Sequence, residues 1–123
     1  TIESFGLTML QARILVELRE NNTSTVGNLS NIIGASSGNA STICKKLEQA
    51  GFITRNRNLN DERVVNLKLT ASGATTLQQI EQAIQKKYEP VLNQKTSTDF
   101  EIILAGINKI KEILNEVNET NQA

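Results

Sequence analysis

The chain has 123 residues, of which 38% are hydrophobic, and its 13 basic and 13 acidic side chains give a formal net charge of zero. It contains no histidine and one cysteine, which excludes Ser–His and Cys–His nucleophile pairs and makes a structural zinc site improbable. Because it has the length of one domain, no apolar run near the ~20 residues of a membrane span and no signal region, we expect a cytoplasmic protein without a cofactor or a membrane partner.

The first third of the chain predicts two helices in close succession. The first has an apolar stripe made of Leu7, Leu10, Ile14, Leu15 and Leu18. Thr8 followed by Gln11 is a capping box, so this helix should begin there. The Thr23-Ser24-Thr25 stretch breaks the first helix and caps the second, whose apolar face holds Val26, Leu29, Ile32 and Ile33. Gly34 is placed to end the second helix in a left-handed cap.

A third helix and a hairpin follow. The helix should begin near Ser36 or Ser37, run to about Ala50 and stop at Gly51, with an inward face of Ala40, Ile43, Cys44 and Leu47. The period then changes, because RVVNLKLT alternates apolar and polar residues as a half-buried strand does. FITRNR is predicted to be its partner strand. The polar, turn-prone NLNDE between them completes a β-hairpin.

Two longer helices are predicted in the last third. Thr70 caps the first, whose inward positions are Leu77, Ile80, Ile84, Tyr88, Val91 and Leu92. Pro90 should bend this helix or start its last turn. The second opens with a capping box of Thr98 and Glu101 and carries an almost heptad-spaced seam of Phe100, Ile103, Leu104, Ile107, Ile110, Leu114 and Val117. We expect this seam to be a dimerisation surface, the alternative being packing within one chain.

The segment GASSGNASTICKKLEQAGF, residues 34–52, admits two interpretations. A phosphate-binding loop needs four residues between its glycines and a lysine directly after the second. Here three residues separate Gly34 from Gly38, and Asn39 stands in the place of the lysine. If the chain were a nucleotide-handling enzyme, it would therefore lack the lysine that reaches the terminal phosphates.

The other interpretation is a winged helix-turn-helix, because two helices joined by a tight turn precede an arginine-rich hairpin. The outer face of the third helix is small and polar, which suits entry into a DNA major groove about 12 Å wide. We predict a recognition helix that contacts DNA through Ser37, Gly38, Asn39, Ser41, Thr42, Lys45 and Lys46. The competing interpretation is a solvated helix face whose serines and glycine only cap the helix.

The hairpin favours the DNA interpretation. Arg55, Arg57 and Arg63 bracket its turn, and such arginines reach the DNA backbone or the minor groove from a wing. Asp61 lies two residues before Arg63 and can orient its guanidinium by a charge-assisted pair. Residues 36–73 carry six basic and three acidic side chains, so the positive charge of this neutral chain lies in its middle third. The alternative is an exposed hairpin with ordinary solubilising charges.

Three motifs resemble the MarR family of bacterial transcription regulators: LT-x-x-Q at 7–11, LE-x-x-G-F-I-x-R at 47–55, and D-x-R followed by LT-x-x-G at 61–73. The resemblance covers roughly residues 7–75. It implies a mainly α fold with a small β-hairpin wing, a winged helix-turn-helix region at 7–75, dimerisation helices at 76–119 and an N-terminal extension at 1–6. It also implies a homodimeric repressor that binds a palindromic double-stranded operator and releases it when a small-molecule effector binds.

The resemblance is incomplete at the N-terminus, because the family's further dimerising helix usually precedes LT-x-x-Q and here only TIESFG does. How the dimer forms therefore stays open. The competing function is a winged-helix protein-interaction module that does not bind DNA, an alternative that the zero net charge leaves open. Some relatives sense oxidants through a cysteine, but we expect Cys44, at an inward helix position, to act as a small hydrophobe.

Overall fold

A computed structural model describes residues 1–122, with side chains through Asn121. After a short 3-10 helix (Glu3–Phe5), the elements are α1 (Met9–Asn21), β1 (Ser24–Thr25), α2 (Val26–Ile33), α3 (Ser37–Gln49), β2 (Ile53–Arg57), β3 (Val65–Leu69), α4 (Ala71–Leu92) and α5 (Ser97–Gln122). The predicted fold class, mainly α with a small β wing, is confirmed. The chain divides into two compact units, Thr1–Gln85 and the part that begins at Lys86. Within residues 1–122, no helix is long and apolar enough to cross a membrane.

Side-chain caps set the first three helices. Thr8 and Gln11 form the predicted capping box, with the Gln11 backbone N–H 3.2 Å from the Thr8 hydroxyl and the Thr8 N–H 2.9 Å from Gln11 Oε1. Thr25 caps α2 and Ser36 caps α3 by one bond each, in which the side-chain hydroxyl accepts the backbone N–H of Asn28 or Asn39. Gly34 adopts the predicted left-handed conformation, with φ of 69°, and its N–H donates to the Ser30 carbonyl. The turn between α2 and α3 is therefore short and fixed at both sides.

The sheet has the order β1-β3-β2, and both of its pairings are antiparallel. Ile53 lies opposite Leu69, and Arg55 lies opposite Leu67, so β2 and β3 form the predicted hairpin. The strand β1 was not predicted, because two residues are too few to show an alternating pattern. Pairing of Ser24 with Leu67 defines β1, and the Thr23 hydroxyl donates to the Leu67 carbonyl at 3.0 Å.

One apolar core joins α1, α2, α3, the sheet and the first turns of α4. Its largest fully buried side chains are Ile14, Leu15, Leu18, Leu29, Cys44, Leu47, Ile53, Leu67 and Leu77. An ion pair between Arg19 and Glu81 also links α1 to α4, and it raises the pKa of Arg19. The core holds α3 and the hairpin against a common base, and thereby positions the residues discussed below.

The LT-x-x-G motif joins the sheet to α4 through close backbone contacts. The Thr70 N–H donates to the Phe52 carbonyl at 3.0 Å, and the Thr70 hydroxyl donates to the Gly51 carbonyl at 2.7 Å. The same hydroxyl accepts the Gly73 N–H at 3.0 Å, which confirms Thr70 as the cap of α4. Gly73 packs directly on the Phe52 backbone, where a Cβ atom would overlap the carbonyl oxygen. The motif is thus a fixed joint between the hairpin and α4.

Two predictions about the C-terminal helices were wrong. The cap of α5 is Thr96 rather than Thr98: the Asp99 N–H donates to the Thr96 hydroxyl at 3.3 Å, and the Thr96 N–H donates to Asp99 Oδ2 at 2.9 Å. Leu77 and Ile80 of α4 are buried as predicted, whereas the later positions of the predicted inward face are exposed, namely Ile84, Tyr88, Val91 and Leu92. The first compact unit ends at Gln85, and α4 continues beyond it. Pro90 lies in the last turn of α4.

Candidate nucleic-acid interface

The polar face of α3 is presented to solvent. Of the seven predicted recognition-helix residues, six are exposed (Ser37, Gly38, Asn39, Thr42, Lys45 and Lys46) and Ser41 is half-buried. The opposite face is anchored in the core by Ala40, Cys44 and Leu47, none more than 1% exposed. Ser36 caps the helix through the Asn39 backbone N–H, so the Asn39 side chain takes no part in the cap. The first turn of α3 is therefore capped at its backbone and exposed at its side chains.

The turn after β2 fixes Arg63 by a local ion pair. Asp61 Oδ1 accepts both the backbone N–H of Arg63, at 3.1 Å, and its Nε, at 3.2 Å. The Arg63 side chain is nevertheless 91% exposed, whereas that of Asp61 is 41% exposed. Asp61 thus orients a guanidinium that still offers donors to a ligand, as the spacing of the two residues predicted.

Arg57 braces the tip of the hairpin. Its Nη1 donates to the Glu62 carbonyl at 2.9 Å, across the turn, and the Asn58 N–H donates to the Val64 carbonyl at 2.8 Å. These bonds give the tip a defined shape although it is polar. Leu59 stands at the tip and is fully exposed.

The recognition helix and the hairpin lie side by side and border two open clefts. The first, of about 420 Å³, lies between Ser37 and Ser41 of α3, Arg55 and Arg63 of the hairpin, and residues 25–27 at the start of α2. The second, of about 340 Å³, lies between α3 and β2 and is lined by Ser41, Lys45, Glu48, Arg55, Arg57 and Val65. The structure therefore brings the two predicted groups of DNA-contacting residues to one surface of the first unit.

Arg55 occupies a different environment from the other two wing arginines. Its side chain is only 17% exposed, and its Nη1 lies 3.8 Å from Oε1 of Glu48 in the last turn of α3. The sequence prediction grouped it with Arg57 and Arg63, and it left out Glu48 altogether. The alternation of β2 was a signal for this placement, because Arg55 falls on the same strand face as the buried Ile53.

Cys44 lies at the base of α3 and is fully buried. Burial raises the pKa of its thiol, an effect that the positive charge of Arg55 partly opposes. A thiol with these properties is a poor nucleophile at neutral pH. Among the described residues there is no group of three or more cysteines or carboxylates that could hold a metal ion.

Comparison with known proteins identifies the family of this chain. The family described as transcriptional regulator SarA/Rot matches residues 1–80. The chain is 32% identical over 113 residues to the HTH-type transcriptional regulator FarR of Neisseria gonorrhoeae, covering 89% of this chain and 77% of FarR. It is 36% identical over 73 residues to the transcriptional repressor MprA of Escherichia coli, covering 59% of this chain but only 42% of MprA.

A solved structure agrees on the fold. The chain resembles a cysteine-to-serine mutant of MarR from E. coli, which was crystallised in complex with operator DNA, with a TM-score of 0.70, 23% sequence identity, and coverage of 89% of this chain and 79% of that chain. The family match extends over α1, α2, α3, the sheet and the start of α4, which include every residue of the candidate interface. This chain belongs to the MarR family of winged helix-turn-helix, DNA-binding transcription regulators.

Proposed function

We propose that this chain acts as a homodimeric repressor that binds a palindromic double-stranded operator and releases it on binding a small-molecule effector. The observation that carries the DNA-binding part is the common surface of α3 and the hairpin, where the polar helix face and the guanidinium of Arg63 border one cleft. The MarR mutant of similar fold was crystallised with operator DNA, which supports the same class of ligand here. As a DNA-binding transcription regulator the protein would act in the cytoplasm.

The residues divide into two roles. Ser37, Asn39 and Thr42 present short polar side chains near the start of α3, where Asn can pair with adenine and the hydroxyls with either base edge. Gly38 leaves room for close approach, with nothing within 4 Å of where a Cβ would lie. Lys45, Lys46, Arg57 and Arg63 are exposed cations suited to phosphates or the minor groove. Base preference would come from the first set and general affinity from the second.

The dimer is proposed to form through α5. All seven residues of its predicted seam are exposed in the single chain, between 45% for Phe100 and 60% for Leu104, and Ile102 and Ile113 widen the apolar surface. Apolar side chains repeated along a 26-residue helix at nearly heptad spacing need a covering partner. The predicted alternative is that packing within one chain covers them. A second copy supplies the same seam and gives the symmetry that a palindrome requires.

Sedimentation equilibrium tests the dimer. We expect the wild-type chain to be dimeric at micromolar concentration and Ile107→Glu to be monomeric, because the substitution places a charge in the middle of the seam. Asn108→Glu adds the same charge to the next position of the helix and should stay dimeric. Equal dimerisation of both variants would exclude this seam as the interface.

An apolar groove in the first unit is the proposed effector site. It has a volume of about 450 Å³ and lies between α1 and α4, with Leu10 and Val16 on one side and Ile80 and Ile84 on the other. Arg13 and Glu81 supply polar groups at its rim. The apolar lining suits a small aromatic ligand, so phenol, as a probe of this class, should weaken DNA binding by the wild type. Leu10→Trp, which fills the groove from a 41% exposed position, should remove that response.

Selection of bound duplexes from a random pool tests the operator. A palindromic consensus would support sequence-specific binding by a symmetric dimer, whereas recovery of random sequence would refute it. The competing function, a protein-interaction module, is tested by a gel shift with random duplex at low salt, since a DNA-binding regulator retains non-specific affinity there. Absence of any shift would favour the interaction module.

A further inference from the structure

We propose that Arg55 is a positioning residue: through Glu48 it holds the wing against the recognition helix and sets the spacing of the two elements that meet DNA, without contacting DNA itself. The inference rests on the proposed function, since it assigns a role within that DNA-binding surface. It concerns Arg55 and Glu48, which lie on either side of the cleft between α3 and β2.

The strand register places Arg55 on the inner side of the wing. Arg55 is paired with Leu67, and residues directly opposite in an antiparallel pair project from the same face of the sheet. Leu67 is fully buried, and so is Ile53, two residues before Arg55, at 2% exposure. Because the side chains of a strand alternate, Thr54 and Asn56 point to the other face and are exposed. The Arg55 side chain therefore projects from the core side of the hairpin, toward α3.

The contacts of Arg55 are internal. Its Nη1 lies 3.8 Å from Glu48 Oε1, and its side chain is 17% exposed against 91% for Arg63. Its Nε is buried and has no hydrogen-bond partner among the described residues. A largely buried guanidinium is tolerated only beside a compensating charge, and Glu48 is that charge. Removal of either partner should therefore loosen the packing of β2 on α3.

Glu48 provides the argument against a direct DNA contact. It lines the same cleft as the cations Lys45 and Arg57, on the surface where phosphates would approach. A carboxylate in that place repels a phosphate backbone and lowers the affinity for DNA. Its presence there therefore calls for another role. Holding Arg55 is such a role. If Glu48 only repels phosphates, removing its charge should raise the affinity for DNA, whereas if it holds Arg55, removing its charge should lower that affinity. One neutral substitution therefore tests the inference.

The experiment measures fluorescence-anisotropy binding of a selected duplex at several salt concentrations for wild type, Glu48→Gln, Arg55→Gln and the double variant. We expect Glu48→Gln to weaken binding by about threefold or more, and the double variant to bind about as well as Arg55→Gln alone, because the two residues act as one unit. The slope of log K against log salt should stay at the wild-type value in Arg55→Gln. Tighter binding by Glu48→Gln, or a slope lowered by about 0.9 per phosphate in Arg55→Gln, would overturn the proposal.

Hydrogen exchange in the free protein tests whether the Arg55–Glu48 pair holds the wing, without any DNA. It therefore distinguishes failure of this inference from failure of the proposed function. Amides of β2 and β3 should exchange faster in Glu48→Gln and Arg55→Gln, while amides of α1 keep wild-type rates. Arg55→Lys, which keeps the charge and the long stem, should restore part of the protection in a chain that folds. Wild-type exchange in the wing of Glu48→Gln would refute the positioning role even if the chain binds DNA.

Discussion

Asp61 holds Arg63 at two points, because one carboxylate oxygen accepts both the backbone N–H and the Nε of the arginine, at 3.1 and 3.2 Å. The arrangement fixes the direction of the side chain while leaving it 91% exposed. A side chain that is already ordered loses less conformational entropy when it meets its ligand. The pair is therefore suited to a phosphate or minor-groove contact, and it leads to the first prediction.

Arg63→Ala should weaken binding to all duplex sequences by a similar factor and lower the magnitude of the salt slope by about 0.9 for each phosphate that Arg63 neutralises. The measurement is the Kd for operator and random duplex across a salt series. Lys68→Ala is the matched control, since Lys68 is an exposed cation of β3 that lies opposite Thr54, on the outer face of the sheet. Identical slopes for Arg63→Ala and wild type would show that this arginine does not meet the backbone.

Asn39 is expected to determine base preference. It is exposed in the first turn of α3, its backbone N–H is used by the Ser36 cap, and its side-chain amide can pair with an adenine edge. Asn39→Ala should relax the preference at one position of each half-site by about 1–3 kcal/mol and leave the other positions unchanged. Repeating the duplex selection with this variant measures the effect. Gln49→Ala, at the other end of α3, should return the wild-type consensus.

How much of the fold could be predicted depends on whether the sequence signals involve only neighbouring residues. Caps such as Thr8 with Gln11, and the left-handed Gly34, depend on a few neighbouring residues, and the structure confirms them. The prediction of where α5 starts was wrong because two overlapping capping sequences, Thr96 to Asp99 and Thr98 to Glu101, both fit the pattern. Local sequence does not choose between two registers of the same signal. The hydrogen bonds of Thr96 identify the one that forms.

The candidate interface was predicted in part for a related reason. The polar face of α3 and the Asp61–Arg63 pair follow from helical period and short spacing, and both are present in the structure. The pairing of Glu48 with Arg55 depends on how a strand packs against a helix, so it needs tertiary structure. The exposed positions of α4, such as Tyr88 and Val91, were predicted to face inward because periodicity identifies an apolar face without telling what covers it.

Gly73 is expected to be intolerant of any side chain. A Cβ atom there would overlap the Phe52 carbonyl oxygen and lie 2.7 Å from Leu69 Cδ1, so α4 or the hairpin would have to move. Gly73→Ala should lower the free energy of unfolding by about 1–3 kcal/mol, measured by urea titration. Gly106→Ala is the control, since nothing lies within 4 Å of its Cβ position on α5, and it should be neutral or stabilising by up to about 1 kcal/mol. Equal stability of the two variants would contradict the close packing.

Cys44 is expected to make stability depend on alkaline pH. Burial raises the pKa of its thiol above the ordinary 9.0, so well below pH 9 the thiol is protonated in both the folded and the unfolded chain. As the pH rises above 9, the unfolded chain releases this proton first, and the free energy of unfolding should fall by up to about 1.4 kcal/mol per pH unit until the folded thiol also ionises.

Urea titrations of wild type and Cys44→Ala at pH 7.5 and pH 10 measure this contribution. Cys44→Ala should be less stable than wild type at pH 7.5, because it leaves a cavity at a fully buried position, but should lose less stability between the two pH values. Subtracting the two losses removes every contribution that the two proteins share. Equal losses, or rapid modification of the folded wild type by a thiol reagent at pH 8, would show that the thiol is more accessible than its burial indicates.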